Sequence, residues 1–533
     1  MADILERLLQ DHGPILSTEL TRLLVDKHKL TPAAARKRVS RLGPDIARLY
    51  LAFPRNARFV YLKKDFGSPE YWQSLIKALL DTRSAYGLAL VALQQRGGIM
   101  PADHFPIACG APLRQAKHLS PETIVARLKQ ANLVGEYVIP GVGNCIGLVQ
   151  GPDRYDFASA EIKARVLTEE ILLNAIKMWM RNLGLVSYDK VAMRGDSESL
   201  PKVSTFAWDL TAPSYLGPML DWSGSGTPKQ GFVACDVLLG LEIDEPGLRP
   251  FIYKSTTLRS LKNVGRCLQI FVASRYTKQA FDLAKRNGIV PATPDSLFGS
   301  EVAEGLAQLT TVLREAAMAA ANPEVLNEVF SRLSKIEGAA NNLRGALFEF
   351  VVAEIVRQLF AGTSVTMNEH FQDDAGAKAE VDVVATNHRR SVHFIECKGY
   401  QPYGTVPDKY VMAWLEQRLP LVYQAARKHS GWKDLDIHFE FWTTGKLSPA
   451  AIAAVEEASG RIRKYTVAFR DASAVRDLAK QTRDTSLIKT LEQHFLAHPM
   501  ATVEVGAAKR VAREARSLAS KESPYPAIGD FPL

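Results

Sequence analysis

Acidic and basic side chains stand at chemically useful spacings in the segment 380–400, EVDVVATNHRRSVHFIECKGY. Two apolar runs separated by the polar turn TNHRR predict a hairpin of two strands. Glu396 and Lys398 are two residues apart, so both project from one face of the second strand, and Asp382 lies at the inner end of the first. The preceding helix, RGALFEFVVAEIVRQLF, carries Glu349 on its inner side. We expect these four side chains to converge at one sheet edge.

This combination of side chains is suited to metal-assisted hydrolysis of phosphodiester bonds. Mg²⁺ takes a few carboxylate oxygens and keeps most of its waters, so we expect Asp382, Glu396 and the backbone carbonyl of Cys397 as ligands, with Mn²⁺ able to substitute. The ion would lower the pKa of an attacking water and neutralise charge on the phosphate. Lys398 would orient or deprotonate that water, or stabilise the charge that builds on phosphorus. We expect Glu380 to point to the opposite face of the strand from Asp382, and we do not count it as a ligand.

The order of a helical Glu, then E-x-D, then E-C-K resembles the PD-(D/E)XK nuclease superfamily. The wording EVDVVA followed by HFIECKGY is most similar to its Mrr-type restriction endonuclease branch, as is the later FEFWTTGKLSPAAIAAVEEA. The resemblance covers residues 341–480, under a third of the chain. It implies metal ligation by Asp382 and Glu396, catalysis by Lys398 and a place for Glu349 near the metal. It also implies a role for Gln424, although the spacing to the family's usual Tyr is not kept.

A Glu-x-Lys pair on a strand is also compatible with a solvated edge that has no catalytic role. The flanking sequences VDVV and VHFIEC are typical of buried strands, however. Charges buried there need partners or a metal, because an unpaired charge in a protein interior is costly. We therefore expect an intact nuclease site.

The first 66 residues resemble a winged helix. DILERLLQDHG and STELTRLLVDKH have apolar residues at helical spacing, TPAAARKRVSRL begins with Thr31 as N-cap, and ARFVYLKK predicts a wing strand. Residues 1–65 carry 13 Lys+Arg against 7 Asp+Glu. The third helix of such folds meets DNA, and the candidate contacts in and after it are Arg36, Lys37, Arg38, Arg41, Arg55 and Arg58. The alternative is a protein-interaction module with a solvated basic face.

The remaining chain completes an α/β multi-domain organisation. Residues 67–155 predict a second winged-helix-like module, in which SPETIVARLKQANLV is a capped helix that begins at Ser120. Residues 165–300 predict a mixed α/β domain, and residues 301–340 a helical connector. Residues 341–495 form the expected restriction-endonuclease-like domain. Residues 496–533 predict a basic helix and a flexible tail.

The 165–300 block aligns with the nuclease segment as a degenerate copy of it. In this alignment the positions of Glu349, Asp382, Glu396 and Lys398 are taken, in that order, by Glu170, Asp209, Asp236 and Leu238. An apolar residue at the lysine position predicts that this copy does not cleave and instead binds or dimerises. The alternative is two unrelated α/β units, because an alternation of helices and strands is easily matched.

The composition narrows the class of protein. Hydrophobic residues at 47% and charged residues at 23% are ordinary globular values and exclude a largely disordered chain. The net charge of +9 is compatible with a polyanionic partner. The 5 cysteines include no CxxC pair, so neither a disulfide framework nor a structural zinc site is indicated. No apolar run approaches the roughly 18 residues of a membrane helix, so we expect a cytoplasmic protein with no membrane partner.

Together these features predict a Mg²⁺-dependent DNA endonuclease. Cutting both strands of a duplex needs two active sites, so a homodimer is expected. By analogy, the domain combination suggests restriction or anti-phage defence, with room for a separate ATPase or defence subunit because no phosphate-binding loop occurs in the sequence. The alternatives are a DNA-binding regulator or scaffold with an unused nuclease fold, and a repair or transposon-end nuclease that works with a separate partner.

Overall fold

The protein is a mixed α/β chain with several small sheets, as predicted. The computed structural model describes residues 4–496, apart from positions 52, 140–141, 150–158, 198, 222–227, 262–263, 316–324, 326–327, 330–331, 334–338, 361–362, 374–376, 388–389 and 401–403. Residues 1–318 with 331–340 form unit 1, and residues 319–330 with 341–533 form unit 2. The predicted basic tail lies, beyond Leu496, outside the described residues. Among the helices of the described part, none is long and apolar enough to cross a membrane.

Unit 1 begins with three helices and a small antiparallel sheet. The elements are α1 (Ile4–His12), β1 (Ile15–Leu16), α2 (Ser17–His28), α3 (Pro32–Ser40), β2 (Ile46–Arg48) and β3 (Phe59–Leu62). The strand order is β1-β3-β2. As predicted, Thr31 caps α3, because its Oγ1 accepts a hydrogen bond from the N–H of Ala34 at 3.3 Å.

The predicted wing strand, β3, is buried on both faces. Val60 and Leu62 pack into the core of the first three helices, whereas Phe59 and Tyr61 pack against the next segment of the chain. Tyr71 receives these two rings, with centroid distances of 5.7 Å to Phe59 and 5.0 Å to Tyr61. The strand therefore belongs to two hydrophobic cores. A strand with alternating apolar and polar residues could contribute to only one core.

The second segment repeats the arrangement of the first. Its elements are α4 (Pro69–Asp81), α5 (Ala85–Gln94), β4 (Ile99–Pro101), α6 (Phe105–Ala108), α7 (Pro121–Gln130), β5 (Val134–Ile139) and β6 (Gly143–Leu148). The strand order β4-β6-β5 has the same form as β1-β3-β2. Ser120 caps α7 as the sequence predicts, accepting the N–H of Thr123 at 3.3 Å.

The rest of unit 1 is an α/β domain with a five-stranded sheet. Its elements are α8 (Ser159–Asn182), β7 (Ala192–Met193), β8 (Lys202–Val203), β9 (Phe206–Ala207), β10 (Leu210–Ser214), β11 (Gly231–Ile243), α9 (Glu245–Arg259), β12 (Cys267–Tyr276), α10 (Lys278–Arg286), β13 (Val290–Ala292), α11 (Pro294–Phe298) and α12 (Ser300–Glu315). The strand order is β7-β10-β11-β12-β13, antiparallel as far as β11 and parallel from there.

Part of the predicted connector 301–340 belongs to this domain. Helix α12 packs along α8, and the hydroxyl of Thr310 donates a hydrogen bond to Thr168 Oγ1 at 3.1 Å. Arg332 and Glu304 form an ion pair at 2.6 Å within the same unit. Residues 301–315 and 332–333 of the predicted connector are therefore part of unit 1.

Unit 2 carries the segment that resembles a nuclease. Its elements are α13 (Ala339–Leu359), β14 (Thr363–Gln372), β15 (Lys378–Asn387), β16 (Ser391–Lys398), α14 (Asp408–Ala413), α15 (Leu419–Lys428), β17 (Asp436–Thr443), α16 (Pro449–Arg461), β18 (Thr466–Arg470), α17 (Ala472–Thr482) and α18 (Thr485–Leu491). A π-helical turn, Trp414–Arg418, joins α14 to α15. The apolar faces of β15, β16 and β17 share one core with the helices α14 to α16.

The two five-stranded sheets have the same topology. In unit 2 the order is β14-β15-β16-β17-β18, with two antiparallel pairs followed by two parallel pairs. Each sheet follows a long helix, α8 or α13, and each places a helix between its third and fourth strands. This shared order is the arrangement that an internal duplication predicts.

Candidate functional site

The predicted hairpin places two carboxylates where its strands separate. β15 and β16 are paired from Asn387 and Ser391 to Val383 and Ile395, one step before Asp382 and Glu396. Beyond that step Asp382 takes over the role of a main-chain acceptor, and its Oδ2 accepts the N–H of Cys397 at 2.7 Å. Both carboxyl groups are buried, with 7% of Asp382 and 4% of Glu396 exposed. The end of the ladder therefore fixes both acids side by side.

Lys398 lies between the two carboxylates. Its Nζ is 2.7 Å from Glu396 Oε1 and 3.7 Å from Asp382 Oδ2. It also donates a hydrogen bond to the carbonyl of Cys397 at 3.2 Å. The backbone carbonyl of Lys398 is held in turn by the Thr443 hydroxyl at 2.9 Å. We call Asp382, Glu396 and Lys398 the acid–lysine site.

The electrostatics of the acid–lysine site favour a further cation. Burial, and then the neighbouring charge of Glu396, raise the pKa of Asp382 to about 7. Burial alone would lower the pKa of Lys398, but the carboxylates of Asp382 and Glu396 outweigh it and the pKa is raised. Lys398 is thus an ammonium at neutral pH, a state suited to charge stabilisation and unsuited to removing a proton from water.

Arg418 is a member of the site that the sequence did not predict. Its Nη1 donates to Glu396 Oε1 at 2.5 Å, and 42% of its side chain is exposed. It ends the π-helical turn Trp414–Arg418, two residues before Pro420. A proline inside a helix lacks an N–H and crowds the carbonyl four residues earlier, and a π turn is one way to accommodate it. In the sequence, the only signal for this contact is a proline inside a helical pattern, two residues after Arg418.

Glu349 approaches the site from α13. The preceding residue, Phe348, packs on Gly399, and a Cβ at Gly399 would lie 2.2 Å from the carbonyl oxygen of Arg344. Only glycine allows this close contact between the helix and the end of β16. Burial raises the pKa of the Cys397 thiol, and the charges of Asp382 and then of Glu349 raise it further. The helix thus brings a third carboxylate toward the hairpin end.

Two of our expectations about individual residues fail in the structure. Gln424 is exposed on α15 and forms no hydrogen bond with the acid–lysine site; the same helical segment contributes Arg418 instead. The expectation that Glu380 points to the opposite face from Asp382 is wrong, because residues two apart in a strand share a face. It lies with Glu396 and Arg418 around one small cavity, and its charge adds to those that raise the pKa of Asp382.

The donor set fits a hydrated divalent ion. In the described part of the chain no three His, Cys, Asp or Glu side chains form a metal-binding group, so an ion here would depend on two carboxylates and a backbone carbonyl. Oδ1 of Asp382 and Oε2 of Glu396 form no hydrogen bond with any described residue. A pair of available carboxylate oxygens is what Mg²⁺ needs when it retains several waters.

Unit 1 repeats the geometry of the carboxylates at the matching end of its own ladder. β10 and β11 are paired as far as Leu210 and Cys235, one step before Asp209 and Asp236. Asp209 Oδ2 accepts the N–H of Val237 at 2.7 Å, which is the contact that Asp382 makes in unit 2. These positions agree with the alignment made from the sequence.

Arg194 binds the first of these acids in unit 1. Its guanidinium is 2.7 Å from Asp209 Oδ1 and 2.8 Å from Glu169 Oε2. Glu169 also accepts the N–H of Leu239 at 3.0 Å. The alignment paired Glu170 with Glu349, but Glu170 is exposed. Because the face of the helix decides which side chain enters the domain, the structural partner is one residue earlier.

Lys254 binds the second acid in unit 1. Its ammonium forms an ion pair with Asp236 and donates to the carbonyls of Ile107 and Ala207 at 3.0 Å and 2.9 Å. Only 1% of Lys254 is exposed. Leu238 occupies the position of Lys398. The acids that correspond to the expected metal ligands are therefore held by protein cations, and we call this group the closed acid site.

The predicted DNA contacts fall into two groups. Arg36, Arg55 and Arg58 line one cavity of about 380 Å³ between α2, α3 and the turn before β3, together with Arg48, which the prediction missed. We call this the basic cavity. Lys37, Arg38 and Arg41 are exposed on or just after α3 and do not line it.

The turn that carries Arg55 has an unusual backbone conformation. Arg55 and Asn56 both adopt φ of 58°. Residues with a side chain rarely adopt this left-handed conformation. Each such residue raises the free energy of the folded state by about 1–3 kcal/mol. Strained residues cluster at active sites and ligand-binding segments, and Arg55 and Asn56 both line the basic cavity.

No known family model matches this chain, and no curated protein matches it significantly in sequence.

The two sites predict different costs for removing their cations. We expect Lys254→Met to lower the free energy of unfolding by about 3–5 kcal/mol, because it leaves the buried Asp236 without a cation. Arg418→Met removes one partner of Glu396, but the Arg418 side chain is 42% exposed and Lys398 still pairs with Glu396, so a loss below about 1 kcal/mol is expected. Urea unfolding of both variants, followed by circular dichroism, measures the difference. Equal losses would contradict the distinction between a closed and an open acid site.

Proposed function

We propose that unit 2 is a Mg²⁺-dependent nuclease that hydrolyses phosphodiester bonds in DNA. The observation that carries the proposal is the convergence of Asp382, Glu396 and Lys398 at the end of the β15–β16 ladder. The two buried carboxylates share Lys398, and Glu396 also pairs with the Arg418 side chain, which is 42% exposed. A purely structural ion pair does not need this open arrangement. Burial of like charges is unfavourable, and perturbed carboxylates of this kind concentrate at functional sites.

The residues of the site have distinct tasks in the proposed reaction. Asp382, Glu396 and the carbonyl of Cys397 would hold the ion, which when bound supplies a more acidic water and positive charge next to the phosphate. Lys398 would bind a non-bridging phosphate oxygen and stabilise the charge that develops there. Arg418 would exchange its contact with Glu396 for the phosphate backbone, which its exposed position and its guanidinium both allow. Glu349 would orient water at the ion.

The resemblance to PD-(D/E)XK nucleases supports the same proposal. It implies a helix with Glu349, a hairpin with Asp382 and Glu396, and a later strand followed by a helix. These elements occur in unit 2 in that order, as α13, β15 with β16, and β17 with α16. Thr443 and Thr444 of the motif WTTG are buried, and their hydroxyls bond to the backbone of residues 398 and 400. They brace the turn after the proposed catalytic lysine.

The N-terminal part of unit 1 is proposed to bind duplex DNA. The elements α1 to β3 have the composition and order expected of a winged helix, and the basic cavity beside α3 collects four arginines. Guanidinium groups bind phosphates in two-pronged contacts and make affinity strongly dependent on salt. Cleavage of both strands would require a homodimer, and a separate ATPase or defence subunit is compatible with this arrangement.

Cleavage of supercoiled plasmid tests the proposed reaction. We expect the full chain to nick or linearise plasmid with Mg²⁺ or Mn²⁺, and not with EDTA. Asp382→Asn removes a ligand and Lys398→Ala removes the charge that stabilises the phosphate, so each should reduce the rate by on the order of 100-fold or more. Gel densitometry over time measures the rates.

Lys433→Ala and Asp434→Asn are matched controls for cleavage. Both residues are exposed in unit 2, in the loop before β17, at the opposite end of that strand from the acid–lysine site. We expect both variants to cleave at the rate of the unmodified chain. Cleavage that persists in the Asp382 and Lys398 variants would contradict the site. A chain that binds plasmid and is silent with both metals would favour a regulator or scaffold.

The double variant Arg36→Ala, Arg58→Ala tests whether the basic cavity binds DNA. Each phosphate contact that is lost should weaken duplex binding and reduce the slope of log affinity against log salt by about 1. Fluorescence anisotropy of a labelled duplex in EDTA measures binding without cleavage. Arg22→Ala is the control, because Arg22 is exposed on α2 outside the cavity. An unchanged salt slope in the double variant would rule out the basic cavity as the DNA contact.

A further inference from the structure

Unit 1 contains a second cavity, which no part of the proposed nuclease function uses. It has a volume of about 420 Å³ and lies between the carboxyl ends of β11 and β12 and the helix α12. Small-molecule sites commonly have volumes of about 300–1,000 Å³. In sheets of this kind ligands bind in the crevice beyond the carboxyl ends of parallel strands. We call this the bulge cavity.

A β-bulge opens the sheet at this point. β11 and β12 are in regular register up to Leu238 and Ala273, and pairing resumes at Glu242 and Arg275. Three residues of β11 are thus opposed by one residue of β12, Ser274. Bulges recur next to functional sites because they redirect side chains and interrupt pairing.

Gly240 makes the opening possible. Its φ is +98°, a conformation that residues with a side chain rarely adopt. Its N–H donates to Ser274 Oγ at 3.0 Å, which bridges the bulge. The hydroxyl hydrogen of Ser274 stays available, because no described acceptor binds it. The bulge thus presents a hydroxyl donor at the cavity wall.

Two arginines of the cavity have no partner among the residues that the structure describes. Arg275 follows Ser274 on β12, and Arg314 lies in the last turn of α12. Both side chains are exposed, and neither forms an ion pair or hydrogen bond with any residue that the structure describes. Because an arginine fork matches the oxygens of a phosphate, the pair is suited to a phosphate-bearing ligand.

The rest of the lining adds two different surfaces. Leu239, Pro294 and Leu306 give the cavity apolar walls. Asp295 contributes a carboxylate, which would repel a second anion and would accept hydrogen bonds from sugar hydroxyls. A ligand that satisfies all three surfaces carries a phosphate, hydroxyl donors and an apolar ring.

We propose that the bulge cavity of unit 1 binds a small nucleotide, with its phosphate on Arg275 and Arg314 and its sugar hydroxyls on Asp295. The base would lie against the apolar wall formed by Leu239 and Leu306. The hydroxyl of Ser274 would donate to a phosphate oxygen.

The corresponding strands of unit 2 have no such opening. β16 and β17 remain in register from Ser391 with Asp436 to Lys398 with Thr443, with no bulge. The bulge in unit 1 begins directly after Leu238, the residue at the position of Lys398. In the copy that lacks the catalytic lysine, the same end of the sheet is therefore built for a different ligand.

Isothermal titration calorimetry of the full chain with AMP tests this proposal. EDTA is present so that no metal can bridge the nucleotide to Asp382 and Glu396. We expect saturable binding of AMP and at least about tenfold weaker binding of adenosine, since a hydrogen bond to a charged group is worth about 1.5–3 kcal/mol. Arg275→Ala with Arg314→Ala should weaken AMP binding by a similar factor or more. Asp295→Ala should weaken binding of AMP and leave inorganic phosphate unaffected.

A control variant separates this cavity from other basic surfaces. Arg286→Ala changes an exposed arginine at the end of α10, and this variant should bind AMP as the unmodified chain does. The proposal is overturned if AMP fails to bind at millimolar concentration, or if the Arg275 and Arg314 variant binds it normally. Binding of phosphate as tightly as AMP would overturn the nucleotide assignment.

Discussion

The end of an antiparallel ladder is the constraint on which both sites depend. Where β15 and β16 separate, a main-chain N–H loses its usual acceptor, and the carboxylate of Asp382 replaces it. That contact fixes one acid beside Glu396 in a poorly solvated position, so the pair needs positive charge close by. Lys398 supplies that positive charge, and α13 packs closely over Gly399 at the same end of the hairpin. One oxygen of each carboxylate stays available for a ligand.

The same constraint is met differently in the two halves of the chain. In unit 1, Arg194 and Lys254 bind the equivalent acids from buried positions, and the carboxylates become part of the domain's structure. In unit 2 the cations are Lys398 and the half-exposed Arg418, so a ligand can replace their contacts with Glu396. Matching sheets with one closed and one open acid site are what we expect if a duplicated domain kept its fold and retained its proposed chemistry in only one copy.

The sequence predicted the features that depend on local patterns. Apolar runs and a period of two located the hairpin and brought Asp382, Glu396 and Lys398 to one edge, and Thr31 and Ser120 marked the starts of helices. It failed where long-range packing decides. Arg418 reaches Glu396 only through a π turn, Glu169 replaces Glu170 because the packing of α8 selects the face, and Arg194 and Lys254 come from separate elements. The burial of β3 on both faces depends on a second core, formed with the next segment of the chain, that the sequence of the strand does not reveal.

The number of Mn²⁺ ions bound per chain tests most directly the claim that only one acid site is open. Electron paramagnetic resonance measures free Mn²⁺ during a titration of the full chain, of Asp382→Asn and of the matched Asp209→Asn, each checked for folding by circular dichroism. The account predicts one stoichiometric ion for the unmodified chain and for Asp209→Asn, and none for Asp382→Asn. Two ions per chain, or one ion that survives Asp382→Asn, would contradict it.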